Sequence, residues 1–311
     1  MNTELSAMPE SPVESPAAAS ADISSARRFY WSVRRELWEH RAIYIAPLVA
    51  AGFVLFGFLI GMVHLGVKMR AALELSPAKQ RAALILPYDF AGFAIAVTAF
   101  IVAVFYCLDA LHGERRDRTI LFWKSLPVSD LMTVLSKATI PLVVSPLVTF
   151  PILVATWMVM LVLHIGVLQG GGLSAAPLLA QLQFFQRSLA CIYCLSAISL
   201  WYAPIYAWLL LISAWARRAP ILWAWLPLFV IPILEKIAFG TSYFAHMLGY
   251  RLIGWFTQAF TPQAQKVVPM DPLQALDPGT FLSTPSLWIG LVFAAIFLAV
   301  AVRLRRYREP I

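Results

Sequence analysis

Six long stretches of mainly uncharged, apolar residues constrain the fold of this chain more than any other feature. A helix that spans the hydrocarbon core of a bilayer needs about 20 apolar residues, and each stretch can supply them. Because backbone polar groups find no water in lipid, only helices and closed barrels span membranes. These stretches are too long and too uniformly apolar for barrel strands. We place six spans at residues 43–65, 90–111, 141–163, 190–215, 221–239 and 287–304.

The overall composition agrees with this interpretation. Hydrophobic residues make up 60% of the chain and charged residues 13%, whereas soluble domains average about 45–50% and about 25%. We therefore predict an all-α polytopic membrane protein, with a six-helix bundle and an N-terminal interfacial helix in residues 27–311. Residues 1–26 are dominated by Ser, Pro and Ala and contain no Lys or Arg. This composition predicts a disordered cytoplasmic tail.

The net charge of +8 allows two interpretations, nucleic-acid binding or the excess of basic residues that membrane proteins keep in their cytoplasmic loops. The basic residues flank the apolar stretches, so we favour the second and predict no nucleic-acid partner. With the N-terminus inside, 16 of the 24 Lys and Arg residues fall on the cytoplasmic side. This bias predicts a multi-pass protein with both termini cytoplasmic, and we expect it in a bacterial plasma (inner) membrane.

Residues 27–41 form an amphipathic pattern before the first span. On a helix, one side carries Phe29, Tyr30, Val33 and Leu37 and is widened by Trp31 and Trp38, and the other carries Arg28, Ser32, Arg35, Glu36 and Glu39. Helices rich in Trp and Arg lie in the membrane interface. We predict that Trp31, Arg34, Arg35 and Trp38 meet the lipid headgroups; the alternative is a cytosolic helix.

Motifs for chemistry are absent from the sequence. A phosphate-binding GxxxxGK[ST] loop, an HExxH pair and a GxSxG elbow do not occur. Cys191 and Cys194 have CxxC spacing but no partner pair, and we interpret them as small buried hydrophobes. The chain is therefore predicted not to be an enzyme, and to need neither a metal nor a cofactor.

The polar segment between the second and third spans, residues 111–137, is the most informative part of the sequence. Glu114 and Arg118 can pair on a helix at i,i+4 spacing, Pro127 makes a sharp turn, and Ser129 can cap the helix that enters the third span. Residues 120–123 are four bulky apolar side chains in a row. They must contact headgroups, the base of the bundle or a partner protein.

The residues of this segment resemble the cytoplasmic-loop signature of the ABC-2 type (type-2 ABC transporter) permease family. The resemblance rests on Glu114-Arg115, Arg118-Thr119-Ile120, Leu126-Pro127-Val128-Ser129 and Lys137, although the family usually has Gly-Thr in place of Arg118-Thr119. The interfacial helix is similar too, as is the long outer region 240–286, where 247–256 predicts a short interfacial or re-entrant helix.

The resemblance implies a permease subunit of an ABC exporter. Two such subunits, in a homo- or heterodimer, would work with separate ATP-hydrolysing subunits to move a substrate across the membrane. An ATPase-coupling loop is implied at Glu114, Arg115, Arg116, Arg118, Thr119, Ile120, Phe122, Trp123, Leu126 and Pro127. Two alternatives remain open: a secondary transporter or channel without an ATPase, and a membrane-embedded enzyme acting on lipid.

Overall fold

The structure, a computed structural model, describes residues 24–62, 77–117, 129–172, 174–261 and 272–307, with the backbone alone at 77–83 and 177. Apart from one isolated antiparallel bridge between Phe260 and Leu276, the regular elements in these ranges are helical. They are α1 (Ser25–Glu39), α2 (Ala42–Met62), α3 (Pro77–Asp109), α4 (His112–Arg116), α5 (Asp130–Thr139), a π-helical turn (Ile140–Val144), α6 (Ser145–Gly170), α7 (Ala176–Leu182), α8 (Phe184–Trp215), α9 (Pro220–Phe239), α10 (Tyr243–Ala259), α11 (Pro278–Ser283) and α12 (Pro285–Tyr307).

Six helical segments of the described residues are long and apolar enough to cross a membrane. They correspond one to one with the six predicted spans, so the predicted all-α polytopic bundle is confirmed, and the chain is a multi-pass membrane protein. The first span is α2, the second α3 with α4, and the third α5, the π-helical turn and α6. The fourth is α7 with α8, the fifth α9 and the sixth α12. The predicted disordered tail falls almost entirely on residues outside the described ranges.

Three of the spans begin earlier than predicted. α3 starts at Pro77, the third span at Asp130 and α8 at Phe184. The predicted starts were late because we had begun each span near the edge of its uncharged stretch. Asp89, Lys137 and Arg187 lie in these additional turns, and each forms an ion pair with another helix or a neighbouring segment. A helix can carry a charged residue near the edge of the apolar layer when the charge is paired there.

Local signals in the sequence explain several helix boundaries. The Ser129 hydroxyl accepts a hydrogen bond from the Met132 amide at 3.2 Å, which confirms the predicted cap of α5. Gly240 ends α9 in the left-handed conformation, which costs glycine little. Pro141 lies in the π-helical turn, where the missing proline N–H removes one helical hydrogen bond.

Helix α8 is the centre of the bundle. It packs against α3, α6, α10 and α12, and small residues such as Ala203 and Ala207 on α8 meet Ala294 on α12. Small side chains let membrane helices approach closely. Helix α9, by contrast, buries Ala224 and leaves most of its apolar surface exposed, as expected for a helix that faces lipid or another subunit.

Candidate functional site

Charged side chains from four helices converge near one end of the bundle. We call the set Arg35, Glu36, Glu114, Asp130, Lys137 and Arg305 the ion network. Arg35 and Glu36 come from α1, Glu114 from α4, Asp130 and Lys137 from α5, and Arg305 from the last turns of α12. Three carboxylates face three cations, so the network is balanced in charge.

Glu36 and Lys137 form the centre of the ion network. Their side chains are 0% and 1% exposed, and Lys137 Nζ lies 2.9 Å from Glu36 Oε1 and 3.0 Å from Oε2. Arg35 donates to Oε1 at 2.7 Å, and the Tyr106 hydroxyl donates to Oε2 at 3.0 Å. A buried carboxylate with this many donors has its charge compensated on both oxygens.

The pKa of Glu36 reflects these contacts. Burial acts to raise it, but the charge and hydrogen bond of Lys137, together with Arg35, lower the pKa from 4.5 to about 2. The attraction of the two cations therefore outweighs the loss of hydration. Glu36 is ionised throughout the physiological pH range.

Glu114 links the centre of the network to the last span. Its Oε1 lies 3.0 Å from Lys137 Nζ and 3.8 Å from Arg35 Nη2, and its Oε2 pairs with Arg305. Arg305 Nε donates to Asp130 Oδ1 at 3.0 Å. One carboxylate thus joins α4 to α1, α5 and α12.

Arg115 fixes α4 to the end of the fourth span. It is 5% exposed, and its Nη1 donates to the carbonyls of Ala214 at 2.7 Å and Ala216 at 3.3 Å. These carbonyls lie at the C-terminal end of α8, where the helix dipole favours a cation. The Ser213 hydroxyl accepts from the His112 amide at 2.8 Å, so the chain turn after α3 is held against α8 as well.

The predicted coupling loop is described in part. Glu114 and Arg115 lie in the buried contacts above, whereas Arg116 is exposed and pairs with Asp117 at 3.0 Å. The predicted residues Arg118, Thr119, Ile120, Phe122, Trp123, Leu126 and Pro127 lie outside the described residues, as does the predicted pair of Glu114 with Arg118. Glu114 and Lys137, the first and last residues of the family-like segment, are in direct contact.

The interfacial-helix prediction needs two corrections, at Glu36 and at Arg35, which we had expected to meet the headgroups. We had placed Glu36 on the solvated side of α1, and this is wrong: Glu36 faces the bundle with Val33 and Leu37. On the helical wheel it lies next to the apolar side, and an α1 docked on the bundle buries that position. Arg35 also turns toward the network, where it lies between Glu36 and Glu114.

Trp31 and Trp38 lie on the exposed side of α1. They are 48% and 62% exposed, and the Arg34 guanidinium lies 5.0 Å and 4.6 Å from the centroids of their rings. This cation–π arrangement leaves an aromatic and basic surface pointing away from the bundle, as the prediction of headgroup contact requires.

Sequence reasoning missed Glu36 and Arg305 as members of the network. Arg305 belongs to a basic C-terminal group that we had assigned to topology alone. The sequence offered one signal for Glu36: on the helical wheel this acidic residue lies at the edge of the apolar side of α1, directly before Leu37.

The site does not suit a metal. Glu36, Glu39 and His40 offer ligand atoms within 4.8 Å of one another. Lys137 and Arg35 already occupy Glu36, however, and a cation would have to displace both of them. The arrangement is instead a charge-balanced joint between helices.

A second, smaller polar group lies toward the opposite end of the bundle. We call Tyr88, Asp89, Trp157, His164 and Arg187 the distal cluster. The Tyr88 hydroxyl lies 3.3 Å from His164 Nδ1, Trp157 Nε1 donates to the Tyr88 carbonyl at 2.9 Å, and Arg187 pairs with Asp89. Tyr88 precedes Tyr106, the donor to Glu36, by 18 positions on the same helix, which at 1.5 Å per residue is about 27 Å.

Comparison with known proteins adds no family to these observations: the chain has no significant match among protein-family models, curated proteins or solved structures.

Proposed function

We propose that this chain is the membrane-spanning permease subunit of an ABC-2 type exporter, driven by a separate ATPase subunit. The observation that supports the proposal best is the contact between Glu114 and Lys137, 3.0 Å apart. These residues begin and end the segment that resembles the family's coupling loop. Their contact brings the two ends of that segment together at the base of the second and third spans.

The ion network gives such a loop a way to move the spans. A force on the loop acts on α4 and α5, which are bonded to α1 and α12 through Glu36, Glu114 and Arg305. Arg115 transmits the same force to the end of α8. Charge-assisted hydrogen bonds are roughly twice as strong as neutral ones, so these helix ends should move together when the ATPase acts.

The π-helical turn after α5 supplies a candidate hinge. Ile140–Val144 directly follows the buried helix end that carries Lys137 and contains Pro141. π-helical turns weaken the regular ladder and occur frequently at functional sites. In the proposed mechanism α5 moves with the loop, and the rest of the third span bends at this turn.

The proposed complex contains two permease subunits. Helix α9 exposes most of its apolar residues, and α3 exposes a face with Phe90, Phe93 and Phe105. We propose that the second and fifth spans pair with a second copy or a related subunit, and that both termini are cytoplasmic in a bacterial inner membrane.

The coupling assignment is tested with the full-length tagged chain, purified from its native host in mild detergent. We expect an ATPase with a phosphate-binding loop to copurify, and the chain alone to hydrolyse no ATP. Trp123→Ala or Phe122→Ala should release the ATPase or uncouple hydrolysis from transport while the chain still accumulates in the membrane. Phe53→Ala, which changes a 73% exposed ring on α2, is the matched control.

Three results would contradict parts of the proposal. Normal assembly and transport in both variants would remove the coupling role from residues 120–123. Loss of the chain from the membrane would indicate that these residues pack under the bundle. Transport by the purified chain without ATP would favour a secondary transporter or channel.

Topology is tested separately with reporter fusions. Fusions at Ile311 and in the loop at residues 170–172 should report opposite sides of the membrane, because one follows the sixth span and the other the third. Reporters on the same side would refute the six-span topology with cytoplasmic termini.

A further inference from the structure

Arg251 carries a half-buried positive charge that no acidic side chain among the described residues neutralises. It lies on α10 and contacts the first turn of α12, where its Nη1 donates to the Ser286 carbonyl at 3.1 Å. Its Nε and Nη2 atoms are buried and have no hydrogen-bond partner. Among the described residues, no carboxylate lies within ion-pair distance of it.

The surrounding contacts hold the guanidinium in place without cancelling its charge. The guanidinium lies 4.7 Å from the ring centroid of Trp201, which is fully buried. Trp201 Nε1 in turn donates to the Arg251 carbonyl at 2.8 Å. Gly290 leaves the space that the guanidinium fills, since a Cβ there would lie 2.1 Å from Nη2.

Further groups at this point favour an anion. The hydroxyls of Tyr250 and Ser286 lie 3.2 Å apart; one donates to the other, and the accepting hydroxyl keeps its own hydrogen for a further acceptor. The N-terminal end of α12, which begins at Pro285, adds the positive end of a 23-residue helix. Arg251, the two hydroxyls and the helix end thus give this point of the surface a positive electrostatic potential.

The position along the sixth span points to the membrane boundary. α12 has 23 residues, about 34 Å at 1.5 Å per residue, which is close to the bilayer's hydrocarbon thickness of about 30 Å. Ser286 is at one end of this span and Arg305 near the other. Leu252, Ile253, Trp288 and Ile289 around the site are exposed apolar residues, as expected for a surface that faces lipid.

We propose that Arg251, with the hydroxyls of Tyr250 and Ser286, binds the phosphate group of an acidic lipid. A buried or half-buried charge needs a counter-charge. The described residues supply none, and the source that we propose is a bound lipid phosphate. A lipid phosphate is held at the membrane boundary, next to the apolar residues that contact acyl chains. This binding does not depend on the transport proposal, and the two can fail separately.

The test uses the full-length chain in detergent and native mass spectrometry, with phosphatidylglycerol and phosphatidylcholine as probes. The wild-type chain should retain phosphatidylglycerol in preference to phosphatidylcholine. Arg251→Gln should weaken this retention about tenfold or more, the loss expected for a charge-assisted hydrogen bond. Gly290→Ala should weaken it as well, because the new methyl group displaces the guanidinium.

Arg217→Gln is the matched control, since it removes the same charge from an exposed position between α8 and α9. It should leave the preference for phosphatidylglycerol unchanged. Arg251→Lys keeps the charge but loses the planar donor group and should fall between the wild type and Arg251→Gln.

Several outcomes would overturn the assignment. The assignment is wrong if the wild-type chain does not distinguish the two lipids, and this test holds even if the Arg251 variants do not fold. An Arg251→Gln chain that retains phosphatidylglycerol like the wild type would have the same consequence. Displacement of the lipid by millimolar inorganic phosphate, but not by chloride at equal ionic strength, would show that the site takes a free anion instead of a lipid.

Discussion

At one end of the bundle six charged side chains neutralise one another in a buried network, whereas the distal cluster holds one ion pair beside uncharged aromatic contacts. Glu36 and Lys137 are essentially inaccessible, but Asp89, the carboxylate of the distal pair, is 53% exposed. Tyr88, Trp157 and His164 are joined by neutral hydrogen bonds. The same helices are therefore held by different interactions at their two ends.

This difference predicts which end separates more easily. Leaving a buried ion without its partner costs about 3–5 kcal/mol, while a neutral hydrogen bond contributes about 0.5–1.5 kcal/mol. The distal end should open at lower cost, with the ion network acting as the fixed end. In the permease proposed above, which would be driven from the network side, this asymmetry would let the distal end open.

We expect the largest loss of stability when one of the two central charges of the ion network is removed. Glu36→Gln leaves Lys137 buried with Glu114 as its remaining carboxylate, and we expect a destabilisation of about 3–5 kcal/mol. Thermal unfolding of the purified chain in detergent, followed by tryptophan fluorescence, measures it. Glu39→Gln, at a position with a 48% exposed side chain, is the matched control and should change little.

A double variant sharpens this prediction. Replacing Glu36 and Lys137 together by Met removes both charges and leaves Glu114 paired with Arg305. Because apolar residues of similar size often replace buried ion pairs without loss, stability should recover much of the way to wild type. An equal loss in the single and double variants would mean that packing, not charge, stabilises this end.

Acid should weaken the same end. The folded pKa of Glu36 is about 2, below the ordinary value of 4.5, so its ionised form stabilises the fold above about pH 4.5, and this contribution disappears as the pH falls toward 2. The expected loss is about 3 kcal/mol. It is measured as the difference in unfolding free energy between the wild type and Glu36→Gln from pH 7 to pH 2.5. A constant difference over this range would contradict the prediction.

A smaller loss of stability is expected at Arg115, which attaches α4 to the end of α8. Arg115→Met removes two hydrogen bonds to the carbonyls of Ala214 and Ala216 and leaves α4 less firmly attached. We expect a loss of about 1.5–3 kcal/mol, the usual range for hydrogen bonds to a charged group. Arg116→Met removes an exposed arginine next in sequence and serves as the comparison. Equal unfolding temperatures for the two variants would show that Arg115 does not hold α4.

The smallest effect is expected in the distal cluster. Asp89→Asn breaks the pair with Arg187. Because Asp89 is 53% exposed, water screens the pair, which contributes about 0.2–1 kcal/mol. The 13% exposed Arg187 keeps its cation–π contact with Trp157, 5.8 Å from the ring centroid. The same unfolding measurement detects it. A loss as large as that of Glu36→Gln would abolish the proposed contrast between a fixed end and an easily opened end.

The spans and their order followed from the sequence because an apolar stretch of about 20 residues has few alternatives in a membrane. The cap at Ser129 and the helix in the outer region, α10, were also predictable from local signals. The exact starts of α3, α5 and α8 were not, since charged residues extend each helix beyond its uncharged stretch when another segment supplies a partner.

The ion network and the Arg251 site were decided by the tertiary structure. Glu36 and Lys137 are 101 positions apart and Glu114 and Arg305 are 191 apart, and no periodicity relates such distant residues. The sequence around Arg251 gives no sign of a site, and the absence of a counter-charge among the described residues is visible only once α10 lies against α12. The sequence alone determines which segments enter the lipid, because the free energy of transferring a segment into lipid is a sum over that segment's own residues. Which charges meet depends on how the helices pack, because pairing is a property of two segments at once.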